Sequence, residues 1–370
     1  MPDSAPCAAT FDDRILPSRA ADQISGLAVN TYGEMTVSEL LPPLSAIVLA
    51  AVLSACMVWA IRPLLLRHAL AKPNARSSHR VPTPQGAGLA VVTATLLVAC
   101  AVIGHGGSTS ANIPALVFGA TAFIALVGAA DDLKTIPVLP RLILQGLSVG
   151  AVLVAASGEL RIIPACPLWI ERAVLFLAGL WFVNLVNFMD GIDWMTVAEV
   201  VPVTAALVVL GALGELATST MIVAAALGGA TLGFAPFNRP VAKIFLGDVG
   251  SLPIGLLLGW CLLELAYRQH LFAAVLLPLY YLADATATLL RRLAGGEKVW
   301  AAHRSHFYQR ATDNGFSVLR VVSEVFALNL GLAALAIVST MTASLPIRIA
   351  LFAIGGLAVA LVLIRFSRRR

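Results

Sequence analysis

Four polar side chains that could bind a ligand or a metal lie at the end of a long apolar run. Asn184, Asn187, Asp190 and Asp193 fall within ten residues. On a helix, the two asparagines lie one turn apart on one face. Gly191 is expected to let the backbone turn sharply, so that both carboxylates point to the same place. Such oxygens suit a hard cation such as Mg²⁺, or a sugar and a base. The alternative is an ordinary helix end, although asparagines inside an apolar helix are costly unless used.

An adjacent pair of carboxylates, Asp131 and Asp132, forms a second candidate site, and Arg141 follows ten residues after the first of them. Adjacent carboxylates repel each other unless a cation or a proton relieves them. One carboxylate can therefore raise the pKa of the other and make it a base. A solvated acidic turn is the alternative interpretation.

Asp248 is a third candidate because it lies among glycines, between Gly247 and Gly250, where a helix is predicted to begin. Glycines allow a metal or a phosphate to approach the backbone closely. This position suits a Mg²⁺ ligand better than it suits packing.

Two histidines and their basic neighbours form a fourth candidate site. At helical spacing His303 and His306 share a face, and Arg304 and Arg310 lie nearby. Zinc is disfavoured because no third histidine or cysteine is close. Phosphate recognition fits histidine and arginine together better.

One further acidic residue, Asp284, falls inside an apolar stretch. Because it lies about two turns before Arg291 and Arg292, we expect it to pair with them.

The composition is that of a polytopic membrane protein. The 370 residues are 59% hydrophobic and only 12% charged, with a mean hydropathy of +0.89, whereas soluble domains are about 25% charged. The predicted fold is therefore all-α, a membrane helix bundle. Membrane lipid is an expected partner, and nucleic acid is not. The five cysteines are scattered and show neither a disulfide framework nor a zinc site.

The chain contains about 11 apolar stretches long enough to cross a bilayer. They are roughly 44–66, 86–104, 113–130, 141–157, 172–189, 198–212, 218–236, 250–267, 271–290, 319–340 and 346–364. Lysine and arginine are concentrated in alternate connections and in the C-terminal tail, and the opposite connections hold only Arg161, Arg172, Arg268 and Arg348. The positive-inside rule then predicts that the N-terminus is outside and the C-terminus is cytoplasmic.

This orientation places every candidate site on the cytoplasmic side. A channel or transporter is disfavoured because its functional charges should lie near the middle of the membrane. Residues 1–40 are predicted to be a disordered extension, with Met35 as a possible true start, and 41–370 to be a single transmembrane domain. The basic, hydroxyl-rich loop 72–88, which includes Thr83, suits an anion. Plain positive-inside charge is the alternative explanation of that loop.

Four motifs, in this order and on this side, resemble those of the polyprenyl-phosphate N-acetylhexosamine-1-phosphate transferases, a family that includes phospho-MurNAc-pentapeptide translocase. They are Asp131-Asp132, Asn184-x-x-Asn187-x-x-Asp190-Gly191-x-Asp193, Phe245-x-Gly247-Asp248-x-Gly250-Ser251 and His303-x-x-His306. The resemblance covers about residues 44–365. It implies transfer of a HexNAc-1-phosphate from a UDP-sugar to undecaprenyl phosphate in a bacterial inner membrane, with release of UMP. A homodimer is also possible.

The resemblance also implies roles for individual residues. Asn187 and Asp248 would bind Mg²⁺, with Mn²⁺ as the alternative metal. Asp131 or Asp132 would position or deprotonate the lipid phosphate, and positioning is preferred because attack by a phosphate needs little help from a base. The residues implied to hold phosphates are Arg141, His303, Arg304 and His306. Those implied to contact the nucleotide or the sugar are Asn184, Asp190, Asp193, Phe245 and Thr83, with Phe245 stacking on uracil.

Two departures favour the branch of the family that starts O-antigen or other surface polysaccharides. Trp194 follows Asp193 where the peptidoglycan branch has glycine. The 76–79 stretch Arg-Ser-Ser-His and the single His303-x-x-His306 resemble the polysaccharide branch. The alternatives are phospho-MurNAc-pentapeptide transfer and a non-catalytic protein that binds lipid phosphate on the same fold.

Overall fold

The computed structural model of the protein describes residues 37–71, 82–105, 114–156, 160–298 and 303–369. Thirteen helices lie within them. They are α1 (Val37–His68), α2 (Gly88–His105), α3 (Ala115–Leu133), α4 (Val138–Ala155), α5 (Leu168–Met189), α6 (Met195–Ala212), α7 (Thr218–Phe234), α8 (Asp248–Tyr267), α9 (Leu271–Leu276), α10 (Leu279–Ala294), α11 (Phe307–Asp313), α12 (Val318–Thr340) and α13 (Leu345–Ser367). The possible start at Met35, most of the predicted extension and the 76–79 stretch lie outside the described residues.

The prediction of an all-α polytopic membrane protein is confirmed. Nine described helices are long and apolar enough to cross a bilayer, and α7, with 17 residues, is a shorter apolar helix. The predicted stretch 271–290 is divided between α9 and α10, which are separated at Leu277 and Pro278. Proline lacks the N–H that would continue the hydrogen bonds of a helix. The orientation of the termini stays a prediction.

Helix α7 is buried along almost its whole length and packs against α1, α2 and α6. Its contact with α1 depends on two glycines one turn apart. A Cβ atom at Gly229 would lie 2.2 Å from the carbonyl oxygen of Ile47, and one at Gly233 would lie 2.2 Å from that of Ala51. Small residues at this spacing let two membrane helices approach backbone to backbone.

Helix α8 is the second buried helix and packs against α3 and α5. A Cβ atom at Gly128 of α3 would lie 2.2 Å from the carbonyl oxygen of Asp248. Because α3 ends where α8 begins, this close approach brings Asp131 and Asp132 beside the first turn of α8. One end of the bundle therefore gathers the candidate residues.

Two short strands connect α1 to the segment that precedes α8. Strand β1 (Leu70–Ala71) pairs antiparallel with β2 (Thr83–Pro84). The next residue, Gln85, bridges to Phe245 in a parallel arrangement, and the Phe245 N–H donates to the carbonyl oxygen of Pro84 at 2.8 Å. These bonds place Thr83 and Phe245 near the start of α8.

Candidate active site

The central contact of the site joins the ends of three helices. At the end of α5, the Asn187 side-chain amide donates to Asp248 Oδ1 at 2.7 Å and to Ser251 Oγ at 2.8 Å, both in the first turn of α8. At the end of α3, the Asp131 carboxyl lies within hydrogen-bonding contact of the Asp248 carboxyl. Two carboxyl groups at this separation cannot both be charged unless a proton or a cation lies between them.

Asp132 holds the beginning of α8 in place. Its carboxylate accepts from the backbone N–H of Asp248 at 2.9 Å and of Val249 at 3.0 Å, and also from the Gln85 side chain. Gly247, just before α8, has a φ of +78°, and a Cβ atom there would lie 2.5 Å from Asp132 Oδ2. Asp132 thus does the work of an N-cap from a neighbouring helix. The adjacent carboxylates therefore have different surroundings.

Arg141 is directed at Asp131 and not into open space. Its guanidinium donates to Asp131 Oδ2 at 2.8 Å, and the carboxylate also accepts from the Ile136 backbone N–H. The Arg141 side chain is 23% exposed and that of Asp131 is 5% exposed. The structure therefore places Arg141 beside the carboxylate cluster, where it offsets part of the negative charge.

Asp190 and Asp193 take different roles after the end of α5. Asp190 accepts a hydrogen bond from the Thr196 hydroxyl. Burial raises the pKa of the Asp190 carboxyl to about 7, and the charges of Asp132 and Asp193 act in the same direction. Asp193 is buried and accepts from the Ala242 backbone N–H at 2.9 Å. Asp193 therefore holds the loop between α7 and α8.

The sharp turn in this motif occurs at Trp194 and not at Gly191, which corrects the expectation from the sequence. Trp194 has a φ of +64°. Its backbone N–H donates to Asn238 Oδ1 at 2.8 Å and its indole N–H to the Ala235 carbonyl at 2.7 Å. Glycine is required at 191 for a different reason, since a Cβ atom there would lie 2.0 Å from the Tyr308 hydroxyl oxygen.

Asn184 is separated from the carboxylate cluster by its hydrogen bonds. Its side-chain amide donates to Gln145 Oε1 of α4 and to the Leu180 carbonyl, both at 2.8 Å. Although Asn184 and Asn187 are one turn apart, they have different partners. The structure uses Asn184 to join α5 to α4.

A second polar cluster surrounds Asp284, which is fully buried in α10. Its carboxylate accepts from the backbone N–H of Phe307 at 2.9 Å and of Tyr308 at 3.0 Å, at the start of α11, and lies 3.2 Å from His306 Nδ1. The expected pairing of Asp284 with the basic end of its own helix is therefore wrong. Arg292 instead pairs with Glu297, at 2.7 Å.

The histidine pair lies on this second cluster. The rings of His303 and His306 have centroids 4.9 Å apart. Burial, together with the charges of His306 and Arg292, lowers the pKa of His303 to about 4, so its ring is neutral near pH 7. Arg304 is 3.1 Å from the Asp313 carboxylate.

Tyr308 connects the two clusters, since its hydroxyl donates to the Phe188 carbonyl at 3.0 Å, at the end of α5. Among the described residues, no group of three histidine, cysteine, aspartate or glutamate side chains is arranged to hold a metal. The set around Asp248 consists of two carboxyl groups, an amide and a hydroxyl, all of which offer hard oxygen ligands.

Three partners within the site were not predicted from the sequence. Gln85 donates to Asp132, Ser251 accepts from Asn187, and Tyr308 packs on Gly191. Ser251 belongs to the glycine-rich motif that begins at Phe245, and Gln85 directly precedes the Gly-Ala-Gly start of a helix. Their positions in these motifs were the only sequence features that pointed to the site. Nothing in the sequence pairs Tyr308 with a glycine more than 100 residues earlier.

Comparisons with known proteins agree with this arrangement. A sequence model of glycosyl transferase family 4 matches residues 114–266, which include both carboxylates of α3, Asn187 and Asp248. The chain is 27% identical, over 76% of its own length and 84% of the relative's, to a probable undecaprenyl-phosphate N-acetylglucosaminyl 1-phosphate transferase of Bacillus subtilis.

Two other relatives are similar at the same level. A decaprenyl-phosphate N-acetylglucosaminephosphotransferase of Mycobacterium leprae is 26% identical over 74% of this chain and 77% of its own. A phospho-N-acetylmuramoyl-pentapeptide-transferase of Streptococcus gordonii is 27% identical over 61% of this chain and 73% of its own. The part of the chain that holds the meeting point of α3, α5 and α8 is therefore similar to glycosyl transferase family 4.

Proposed function

We propose that this protein transfers a HexNAc-1-phosphate from a UDP-sugar to undecaprenyl phosphate and releases UMP. The observation that carries the proposal is the contact between Asp131, Asp248 and Asn187 at the end of a membrane bundle. Relatives named for transfer to undecaprenyl or decaprenyl phosphate support the general reaction.

The reaction exchanges one phosphorus–oxygen bond for another. An oxygen of the lipid phosphate attacks the β-phosphorus of the UDP-sugar, and the bond from that phosphorus to the bridging oxygen breaks. The α-phosphate leaves with uridine as UMP, and the sugar phosphate is now joined to the lipid as a diphosphate. Little covalent work is left to the protein, whose task is to position two anions in line.

A divalent cation fits the residues around Asp248. The touching carboxyl groups of Asp131 and Asp248 need a positive charge or a proton between them, and the Asn187 amide can turn its oxygen toward the same place. Mg²⁺ commonly uses one or two carboxylates together with substrate phosphates. When bound, Mg²⁺ would neutralise the diphosphate. Mn²⁺ accepts the same oxygen ligands.

The remaining residues position the substrates and exclude other geometries. Asp132 fixes the first turn of α8, and with it the direction of Asp248. Arg141 fixes Asp131. We assign Asp131 and Asp132 to positioning the lipid phosphate and the metal-binding turn and not to proton abstraction, because their oxygens already accept hydrogen bonds. A phosphate dianion also needs little help from a base.

Phosphate and nucleotide contacts come from the segments around this centre. His303, neutral near pH 7, can donate one ring N–H to a phosphate oxygen, and Arg304 and His306 lie in the same segment. Phe245 and Thr83, joined through the strand contacts, lie beside the start of α8 and suit the uracil and the sugar. The basic connections support a cytoplasmic active site in a bacterial inner membrane.

The sugar and the pathway are distinguished by a substrate panel. We propose a HexNAc donor for a surface polysaccharide, on the basis of Trp194 and the 76–79 stretch. Relatives named phospho-N-acetylmuramoyl-pentapeptide-transferase make the peptidoglycan precursor the second candidate. Purified protein with undecaprenyl phosphate should release UMP from one or more UDP-HexNAc donors. Release only from UDP-MurNAc-pentapeptide would select the second candidate, and release from neither would exclude both.

A further inference from the structure

A cavity of about 410 Å³ lies between the C-terminal part of α1 and the loop that joins α7 to α8. It is lined by Trp59, Ala60, Arg62, Pro63, Phe237 and Lys243. None of these residues belongs to the carboxylate cluster or to the cluster around Asp284. The volume falls within the range of small-molecule sites, about 300–1,000 Å³.

The lining contains two cations and no acid. The Nε of Arg62 is buried and has no hydrogen-bond partner. Within the described part of the chain, neither Arg62 nor Lys243 forms a side-chain hydrogen bond or an ion pair. A buried guanidinium donor without an acceptor costs free energy, so the cavity is built to receive an oxygen acceptor. The fork of guanidinium donors matches a phosphate group in particular.

The position of the cavity favours one source for a phosphate of this kind. Trp59 is 74% exposed and Leu66, two turns further along the same face of α1, is 41% exposed, so other helices leave this face open to lipid. Arg62 lies six residues before the end of α1 at His68, which is about 9 Å along a helix axis. Tryptophan and arginine near the end of a membrane helix lie at the level of the lipid headgroups.

We infer that this cavity binds the headgroup of an anionic membrane phospholipid. Its phosphate lies against Arg62 and Lys243, and the glycerol and the start of the acyl chains lie on Trp59 and Phe237. Polyprenyl phosphate is the other lipid that carries a phosphate here, but a phospholipid fits a cavity separated from the site residues.

A lipid bound in the cavity contacts both sides of the loop that leads to α8. Phe237 and Lys243 are joined by a hydrogen bond from the Lys243 N–H to the Phe237 carbonyl at 2.9 Å. Between them, the Ala242 N–H donates to Asp193. A lipid in the cavity therefore holds the loop between α7 and α8 at the membrane surface. Asp193 connects the same loop to the site.

The test is lipid retention, measured by native mass spectrometry on the full chain purified in mild detergent. Protein loaded with phosphatidylglycerol and phosphatidylcholine together should retain the anionic lipid preferentially. Arg62→Gln combined with Lys243→Gln should lower phosphatidylglycerol occupancy by roughly 10–30-fold, the scale set by two cations at a lipid surface. Arg67→Gln and Arg239→Gln, basic positions on the same helix and loop but outside the cavity, should retain the lipid.

A third variant guards against a folding defect. Arg62→Lys with Lys243→Arg keeps both charges and should keep most of the lipid. Equal retention of both lipids by the wild type would overturn the proposal, as would unchanged phosphatidylglycerol retention in the doubly neutral variant. Displacement of phosphatidylglycerol by equimolar undecaprenyl phosphate would also overturn it, because the site would then belong to the acceptor lipid. Because retention is measured without turnover, these results do not depend on the proposed activity.

Discussion

The clusters around Asp248 and Asp284 share one structural feature, a carboxylate that caps a neighbouring helix, but they differ in what lies beside it. In each, a carboxylate from one helix accepts the first backbone N–H groups of another: Asp132 does so for α8, and Asp284 for α11. Beside Asp132, the capped turn presents Asp248 to Asp131, so two carboxyl groups meet. Beside Asp284, the residue next to the capped turn is His306, whose ring nitrogen Nδ1 lies 3.2 Å from the carboxylate and can donate to it.

In the first cluster, two neighbouring carboxyl groups need a cation or a proton between them. In the second cluster, the Asp284 carboxylate already has its hydrogen-bond donors. Removing the Asp248 carboxylate from the first cluster relieves repulsion but removes a metal ligand. Removing one from the second cluster leaves buried donors without an acceptor. A substitution of Asp248 should therefore lower turnover without lowering stability. A substitution of Asp284 should lower stability and leave turnover per folded molecule close to wild type.

The largest expected effect is that of Asp248→Asn on turnover. Losing one charged ligand should lower the rate of UMP release by at least ~10–100-fold, because mutating residues that only hydrogen-bond to metal ligands already has effects of this size. The Mg²⁺ dependence should also weaken. The melting temperature of the metal-free protein should not fall, because one of two touching carboxyl groups is now neutral. Glu324→Gln, in an ion pair with Arg320 outside the site, is the control. Normal turnover with unchanged Mg²⁺ dependence would remove Asp248 from the site.

Asp284→Asn should act mainly on stability. The buried carboxylate accepts from two backbone N–H groups and lies beside His306, and an amide can replace only part of this. We expect a loss of about 2 kcal/mol in the free energy of unfolding, within the range for buried donors left without partners. Thermal unfolding in detergent measures it, with turnover per folded molecule and Mg²⁺ dependence close to wild type. If the Asp284→Asn variant were as stable as wild type but had a changed Mg²⁺ dependence, Asp284 would be a metal-binding residue and the contrast would be wrong.

Asp190 should make stability depend on pH near neutrality. Its folded-state pKa is about 7, above the ordinary value of 3.8, so folding favours the protonated form. This contribution is complete below pH 3.8 and is lost as the pH rises through 7. Between pH 6 and 8 the loss is about 1.4 kcal/mol. Melting temperatures of the metal-free protein should fall over this range, and Asp190→Asn should flatten the dependence; parallel curves for both proteins contradict the assignment.

Asp132→Asn should lower the free energy of unfolding by about 1 kcal/mol, typical of a weakened helix cap. Turnover should fall as well because the direction of Asp248 changes. The acidic limb of the pH–rate profile should remain, since the lipid phosphate has its own ionisation near pH ~6. Comparing the profiles of Asp132→Asn and Asp131→Asn tests this, and loss of the limb in one variant would identify that carboxylate as a true general base.

The fold was predictable from the sequence because membrane helices are specified by local composition. Apolar stretches of bilayer length need no knowledge of their neighbours, and most of the predicted stretches correspond to one helix each. The divided stretch at Pro278 is the exception. The chemistry of the site was predictable in part because carboxylates and amides at helix ends have few other uses in a membrane protein.

The partners of individual side chains were not predictable in the same way. Asn184 and Asn187 have the same residue type and share a face, yet one bonds to Gln145 and the other to Asp248. Which neighbour is present depends on helix packing, to which residues far apart in sequence contribute. Asp284 shows the same limit, since its basic neighbours in sequence were the obvious partners and α11 was the real one.

The glycine contact between α1 and α7 has a consequence for biosynthesis. Ile47 and Gly229 touch across roughly 180 residues of chain, which a ribosome adds in about 10–40 s. During that interval α1 is already made, and the face of α1 that packs on α7 is not yet covered by α7. The bilayer, or an insertion factor, must cover the α1 backbone until α7 arrives. Substituting Gly229 would therefore damage a late step of assembly and not the insertion of α1.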